Sequence, residues 1–152
     1  MTGTGLVFHV LNRAAKRAPL FASAADYAAF EDVLEHACSQ FDVALFAYCV
    51  MPNHWHLLTS PRADRELSRF MHWMTTTHAS RWNSHRGVRG EGAVYQGRFK
   101  AIPVSCDHHF LCVARYVERN ALRAQFVDRA EDWRWSSLWR RYRDNVRPHF
   151  QT

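Results

Sequence analysis

Two histidines that flank one tryptophan are the residues of this chain whose spacing first points to chemistry. His54 and His56 lie in the stretch MPNHWHLL, directly after a Pro-Asn pair that is typical of a tight turn. In a β-strand, residues i and i+2 face the same side, so both imidazoles would lie side by side, roughly 6–7 Å apart at Cα. A chain with ten histidines in 152 residues is expected to contain roughly 0.7 such triplets by composition alone. The motif therefore fits both a site for a divalent ion and an ordinary strand.

A tyrosine and an asparagine in a later helical stretch could complete such a site. In HHFLCVARYVERNALRA, Tyr116 and Asn120 are one helical turn apart, on the flank of an apolar stripe. That stripe consists of Phe110, Ala114, Val117 and Ala121. A tyrosine beside a metal ion and several arginines is a candidate phosphoryl nucleophile. The ordinary alternative is an amphipathic tyrosine at a boundary between a helix and a sheet.

The charge of the chain favours an anionic partner. The net charge is +6, and eighteen of the twenty basic residues are arginine, with only Lys16 and Lys100 as lysines. Arginine suits bidentate phosphate contacts and stacking on bases. The C-terminal stretch RWSSLWRRYRDNVR interleaves arginine with tryptophan and tyrosine, which is typical of a nucleic-acid surface. A solvated helix face is the alternative for that stretch.

Composition and length exclude several classes of protein. A length of 152 residues with 47% hydrophobic residues predicts one compact domain followed by a tail. We expect no secretory signal peptide, and no apolar run approaches the 18 or so residues of a membrane span. The four cysteines form no C-x-x-C pair, which favours reduced thiols in a cytosolic protein.

The alternation of apolar and polar residues predicts how these side chains are positioned. We expect strands over 4–12, 42–51, 54–60 and 93–104, and helices over 24–41, 64–85 and from Ser105 or Asp107 to about 122. A glycine loop at 87–92 and a short Trp-rich helix after Ser136 complete the prediction. The order is that of an α+β, ferredoxin-like split βαβ fold, an antiparallel sheet with helices on one face. The other face is left for a site.

Several motifs in this order resemble one family. FHVLNR, AYCVMPNHWHLL, VYQGRFKAIPV, RYVERNALRAQFV and DWRWSSL are similar to successive motifs of the single-tyrosine HUH transposases, and within them of the REP-associated tyrosine transposases of bacteria. The resemblance extends from about Val7 to Trp139. Ala14, Ala15 and Ala121 depart from the residues that are common in that family, without changing a reactive group.

The resemblance implies a function and a set of site residues. Tyr116 would attack a DNA phosphate to give a 5′-phosphotyrosine link, and His54, His56 and Asn120 would bind Mg²⁺ or Mn²⁺. The implied substrate is single-stranded or hairpin DNA with REP-like palindromes, and the protein would be a monomer or homodimer in the bacterial cytoplasm, associated with the nucleoid. Basic residues near the motifs are expected to contact DNA: Arg13, Arg98, Lys100, Arg115, Arg119, Arg123, Arg140 and Arg141.

Some alternatives stay open at this point. A domesticated transposase that binds hairpin DNA without productive catalysis would carry the same basic residues. A zinc hydrolase is disfavoured, because asparagine is a poor zinc ligand.

We divide the chain into a transposase domain, 1–132, and a Trp/Arg-rich tail, 133–152. Trp133, Trp135 and Trp139 would pack on the core, or the arginines after them would clamp DNA or cover the site. His9 could approach the site, although a structural role is favoured for it.

Overall fold

The chain folds around one antiparallel sheet, described by a computed structural model over residues 5–15, 19–87, 93–105 and 107–142. The strands are β1 Val7–Arg13, β2 Val43–Met51, β3 His54–Pro61 and β4 Lys100–Val104. The helices are α1 Ala24–Gln40, α2 Glu66–Arg86, α3 Asp107–Glu118, α4 Asn120–Arg123 and α5 Ser137–Tyr142, with a 3₁₀ turn at Ala130–Asp132. The strand order is β2–β3–β1–β4. The predicted α+β, ferredoxin-like arrangement is confirmed.

The first two helices cover one face of the sheet. Ser23 begins α1 with a capping box, in which its hydroxyl accepts the Asp26 N–H and the Asp26 carboxylate accepts the Ser23 N–H. Apolar side chains of α1 and α2 then pack on the sheet as their helical spacing predicts. The buried members from the two helices are Tyr27, Phe30, Val33, Leu34, Ala37, Phe70, Met71 and Met74. This face holds the main core.

Helix α3 packs on the opposite face of the sheet. Val117 and Ala121 of the predicted apolar stripe are buried there against Cys49, Met51 and Leu58. Phe110 and Ala114 are partly buried against the same cluster. The stripe is therefore confirmed. It holds α3, which carries Tyr116 and is called the tyrosine helix below, against the face to which His54 and His56 point.

The strand predicted over 93–104 is shorter in the structure and covers only Lys100–Val104. Before it, the chain bonds to the end of β1 through Ala15 N–H to Val94 O (2.8 Å) and Gln96 N–H to Arg13 O (2.9 Å). Gly97 then takes a φ of +142°, a conformation that side chains disfavour, and this breaks the ladder. Residues 88–92 of the predicted glycine loop lie outside the described residues.

The tyrosine helix does not continue to 122 as predicted. It ends at Glu118, Arg119 takes φ −99° and ψ 10°, and α4 begins at Asn120. The Tyr116 carbonyl accepts a hydrogen bond from Arg123 Nη1 at 3.0 Å. Because that side chain satisfies the carbonyl, the helix can be interrupted between Tyr116 and Asn120 without leaving it unbonded.

The C-terminal segment lies along the outer edge of β2. The Val50 N–H donates to Trp135 O (2.8 Å), and the Trp133 indole N–H donates to Val50 O (2.9 Å). Trp133 and Trp135 also pack against the main core, as one of the two sequence alternatives expected, whereas Trp139 stacks with Arg134. Residues 143–152 lie outside the described residues, and the boundary between 132 and 133 stays a prediction.

Two smaller expectations concern cysteines and membranes. Cys38, Cys49 and Cys112 are free thiols, whereas Cys106 lies outside the described residues. Among the helices of the described ranges, none is long and apolar enough to cross a membrane.

A buried polar chain holds the tryptophan that separates the two histidines. The Trp55 indole N–H donates to the Tyr95 hydroxyl oxygen at 3.1 Å, and that hydroxyl donates to Nδ1 of His78 at 2.5 Å. Burial lowers the pKa of His78 to about 4, so its ring is neutral and Nδ1 can accept. These two hydrogen bonds link β3 to α2 through Tyr95, which lies in the YQGR stretch.

We expect Tyr95→Phe to destabilise the fold. The variant leaves the Trp55 indole N–H and the His78 ring without a partner in the core, at a cost of about 1–3 kcal/mol in the free energy of unfolding. Urea denaturation measures this cost. Tyr142→Phe is the matched control, since that side chain is 70% exposed and its change is expected within about 0.5 kcal/mol. Equal midpoints for the two variants would contradict the prediction.

Candidate active site

The histidine pair lies on the face of β3 that meets α3. In the register of the sheet, His54 is opposite Arg13 of β1, and His56 is opposite Leu11. The two imidazole centroids are 5.1 Å apart, with their planes nearly perpendicular at 87°. Trp55, between them, is buried toward α1 and α2. The i, i+2 spacing therefore places both imidazoles side by side, as predicted.

A third histidine joins the pair from β1. His9 Nε2 lies 2.9 Å from His56 Nδ1, and the two rings stack at 5.1 Å between centroids. The sequence favoured a structural role for His9. His9 lies close to His56 because β1 pairs with β3, and no local sequence pattern predicts that pairing. His9 is thus in direct contact with a candidate ligand.

The environment keeps these rings uncharged. Burial, assisted by neighbouring histidines and arginines, lowers the pKa of His56 to about 3. Burial also lowers the pKa of His54 and of His9, and the charge of Arg13 lowers that of His54 further. All three are therefore neutral imidazoles near pH 7, each with one N–H and one lone pair. When His56 Nδ1–H donates to His9 Nε2, the lone pair of His9 is used and that of His56 lies on Nε2.

Hydrogen bonds determine which nitrogens are available. His54 Nδ1–H donates to the Asn53 side-chain oxygen at 2.8 Å, and His56 Nδ1 is taken up by His9. The Nε2 atoms of His54 and His56 are left to bind a ligand. Contacts of this kind orient metal-binding histidines and fix their tautomer. Asn53, in the Pro-Asn turn, therefore has a role that the sequence pattern did not indicate.

Tyr116 stands at the edge of this cluster. Its ring is 48% exposed and meets the ring of His9 at 5.8 Å and that of His56 at 6.0 Å between centroids, both edge-on. The Arg123 guanidinium lies 3.9 Å from the centroid of the Tyr116 ring. An open pocket of about 490 Å³ between β1, β4 and α3 contains Tyr116 and His56. A phosphate in this pocket could reach Tyr116 and His56 together.

Asn120 is buried at the start of α4, 9% exposed. Its neighbour Ala121 belongs to the apolar cluster of Cys49 and Met51, which pair across the strands with His56 and His54. Over the described ranges, its side chain makes no hydrogen bond to either histidine, and no group of three or more His, Cys, Asp or Glu residues is arranged to hold a metal ion. By their chemistry, two imidazoles and one amide are a nitrogen and oxygen donor set that suits a divalent ion whose remaining positions are filled by phosphate oxygens.

Three of the predicted DNA contacts come together beside the histidines. Arg13, Arg98 and Lys100 line one pocket of about 390 Å³, together with Leu11, Asn12 and Gln96. Because Arg13 pairs with His54 and Lys100 pairs with Leu11, the pocket begins next to the histidine pair. These side chains are exposed and could neutralise backbone phosphates.

The other predicted contacts are distributed differently. Arg115 and Arg119 are exposed on α3 and on the turn after it, near Arg123. Arg140 instead pairs with the buried Glu31 at 3.1 Å, and Arg141 pairs with the buried Glu118. The structure thus brings Arg13, Arg98, Lys100 and Arg123 to the site, whereas Arg140 and Arg141 are engaged within the fold.

Comparisons with known proteins agree with the resemblance seen in the motifs. The family model for IS200-like transposases matches residues 2–120. A Haemophilus influenzae protein assigned as a REP-associated tyrosine transposase is 22% identical, over 78% of this chain and 72% of that protein. The resemblance to REP-associated tyrosine transposases is confirmed by these matches.

Two solved structures share the fold. A REP-associated tyrosine transposase bound to a REP hairpin has a TM-score of 0.74 at 16% identity, covering 100% of this chain and 87% of that chain. A protein of Deinococcus radiodurans R1 described as a transposase has a TM-score of 0.53 at 20% identity, covering 78% of this chain and 96% of that chain. The family model extends over well more than half of the sequence and includes His54, His56, Tyr116 and Asn120. The chain therefore belongs to the IS200-like transposase family, whose general activity is DNA cleavage and strand transfer.

Proposed function

We propose that this protein is a metal-dependent DNA strand transferase that cleaves and rejoins single-stranded or hairpin DNA through a 5′-phosphotyrosine at Tyr116. One observation carries the proposal. The exposed phenol of Tyr116 stands beside His56 and His9, with the Arg123 guanidinium against its ring. An accessible nucleophile, neutral imidazoles and a fixed positive charge at one place suit attack on a phosphodiester.

The proposed cleavage exchanges one phosphoester bond for another. The phenol oxygen of Tyr116 attacks phosphorus, the bond from phosphorus to the 3′ oxygen breaks, and a bond from tyrosine to phosphorus forms. The phenolic proton passes to solvent, and the leaving 3′ oxygen takes up a proton. A 3′-OH can later attack the phosphotyrosine and release Tyr116, so that rejoining needs no energy source.

The residues around the nucleophile have separable roles in this proposal. Mg²⁺ or Mn²⁺, held by His54, His56 and Asn120, would neutralise charge on the scissile phosphate. Arg123 orients the tyrosine ring by stacking and adds positive charge beside it. Arg13, Arg98 and Lys100 bind the backbone of the strand next to the histidines, and Arg115 and Arg119 extend the basic surface along α3.

REP-like palindromic hairpins are the substrate that we propose. The structural neighbour with the same fold is described as bound to a REP hairpin, and the curated relative carries the REP-associated name. We place the protein with nucleoid DNA in the bacterial cytoplasm, as a monomer or homodimer, with 1–132 as the transposase domain and 133–152 as its tail. To bind DNA, Arg140 and Arg141 would have to leave their carboxylate partners, Glu31 and Glu118.

We expect Tyr116→Phe to abolish the covalent DNA adduct while it leaves hairpin affinity within about twofold, since the variant removes only the nucleophilic oxygen. The test uses a labelled REP-type hairpin with single-stranded flanks and Mn²⁺, followed by a denaturing gel. Tyr142→Phe, another exposed tyrosine, is the control and should form the normal adduct. An adduct that persists in Tyr116→Phe excludes this residue as the nucleophile. A wild-type protein that binds such hairpins and cleaves none of the repeats of its genome would favour the binding-only alternative.

We expect His9→Leu to lower Mn²⁺ affinity by about 10–100-fold, because His56 loses the partner that holds its Nδ1. Calorimetric titration of the purified protein with Mn²⁺ measures this without any DNA. The matched control is His109→Leu, since His109 lines the same pocket but bonds to Ser105. If both leucine variants bind Mn²⁺ as the wild type does, His9 has no part in the metal site.

We expect Arg98→Ala to weaken hairpin binding and to make its salt dependence less steep by about 0.7–0.9 in the logarithmic slope, as for one lost phosphate contact. Fluorescence anisotropy at several salt concentrations gives the slope. Arg81→Ala is the control, because Arg81 lies away from the site and pairs with Asp32. An unchanged slope for Arg98→Ala would remove this side chain from the DNA surface.

A further inference from the structure

A buried carboxylate lies two residues after the proposed nucleophile and has no part in the reaction described above. Glu118, the last residue of α3, is 8% exposed. Its carboxylate accepts hydrogen bonds from the Ser137 hydroxyl and from Arg141, both on α5. A buried carboxylate is costly unless it is bonded, so these contacts explain how Glu118 is tolerated there.

Ser137 links that carboxylate to the backbone of the sheet. Its oxygen accepts the Tyr48 N–H of β2 at 2.9 Å. Its single proton then points to Glu118, since a hydrogen bond to a charged acceptor is the stronger one and the Tyr48 carbonyl is farther away at 3.2 Å. Strand β2, α5 and the end of α3 are therefore joined at one side chain.

The start of α5 is itself held in place. The residues before it bond to β2 through Val50 N–H to Trp135 O and through Trp133 Nε1–H to Val50 O. Ser136 forms a bridge with Cys49 on the same strand. The Trp-Ser-Ser motif thus forms an extra edge to the sheet, and α5 is a fixed point to which α3 can be bound.

Such a fixed point is needed because the tyrosine helix is interrupted. Arg119 lies between α3 and α4, so a continuous ladder of helical hydrogen bonds does not set Tyr116 relative to Asn120. Glu118 is two residues from each of them. Its bonds to α5 can fix the end of α3 where the helix itself no longer does.

We infer that Glu118, held by Ser137 and Arg141, is a positioning residue that orients Tyr116 and Asn120 toward the histidine pair. The Trp-Ser-Ser segment then serves catalysis indirectly, as the support of the tyrosine helix. This inference rests on the proposed function, because it assigns a role relative to Tyr116 as nucleophile.

The test compares cleavage rate with DNA affinity in Glu118→Gln. This variant removes a negative charge, so a purely electrostatic effect would leave DNA binding equal or tighter. Loss of positioning predicts instead a single-turnover cleavage rate that falls about 10–100-fold, with hairpin Kd not increased. The probes are a labelled REP-type hairpin with Mn²⁺ for cleavage and the same hairpin without metal for binding.

Further variants separate positioning from stability and from DNA contact. Arg141→Met should slow cleavage, whereas Arg141→Lys should keep much of the wild-type rate. The double variant Glu118→Gln with Arg141→Met should lose less cleavage rate than the product of the two single rate losses, because both changes break the same contact. Arg129→Met is the control, because it removes one positive charge whose partner is Glu131, outside the Trp-Ser-Ser segment; it should cleave normally. If Glu118→Gln does not fold, Ser137→Ala, which removes one hydroxyl, provides the same comparison.

The outcomes are distinct. A folded Glu118→Gln that cleaves within twofold of the wild type overturns the positioning role and leaves the proposed function intact. A rate loss in Arg141→Met that more DNA fully restores assigns that arginine to binding and also overturns it. A wild type that forms no adduct overturns both the proposed function and this inference.

Discussion

The pairing of β3 between β1 and β2 is the constraint on which the rest of the structure depends. Along β3, Trp55 and Leu57 are buried toward α1 and α2, whereas His54 and His56 face α3. A slip of one residue in this register would exchange the two sets of side chains. Trp55, bonded to Tyr95 and completely buried, makes such a slip costly. The burial of Trp55 thus determines that His54 and His56 face α3.

Burial of the sheet face has a second consequence for the site. The same packing that places α3 over β2 removes water from His56 and lowers its pKa to about 3. A ring that stays neutral at all ordinary pH values keeps a lone pair for a metal ion or a proton. Tyr116, in contrast, lies where α3 leaves the sheet and stays half exposed. Helix α3 therefore shields the histidine cluster from water and also presents an exposed tyrosine, which is the nucleophile that we propose.

The sequence was sufficient for features that depend on local spacing. The i, i+2 spacing of the histidines and the buried stripe of the tyrosine helix both agree with the structure. Features that depend on long-range pairing were missed. The contact of His9 with His56 joins residues 47 positions apart and requires β1 beside β3, which no window of a few residues predicts. The interruption at Arg119 was missed for another reason, since arginine is a good helix former and no glycine or proline marks the break.

The arginine-rich C-terminal stretch shows why composition alone misplaces a binding surface. Glu31 is buried and is paired with Arg134 and Arg140, and Glu118 is buried and is paired with Arg141. A guanidinium that compensates a buried carboxylate must first break that pairing to bind a phosphate, and breaking it leaves a charge in the core without compensation. Exposed cations near the site, such as Arg13, Lys100 and Arg123, do not carry this cost, and they are the ones that we propose for DNA binding. Arg134, Arg140 and Arg141 thus hold the fold, whereas Arg13, Arg98 and Arg123 are the arginines that we propose for contact with the phosphate backbone.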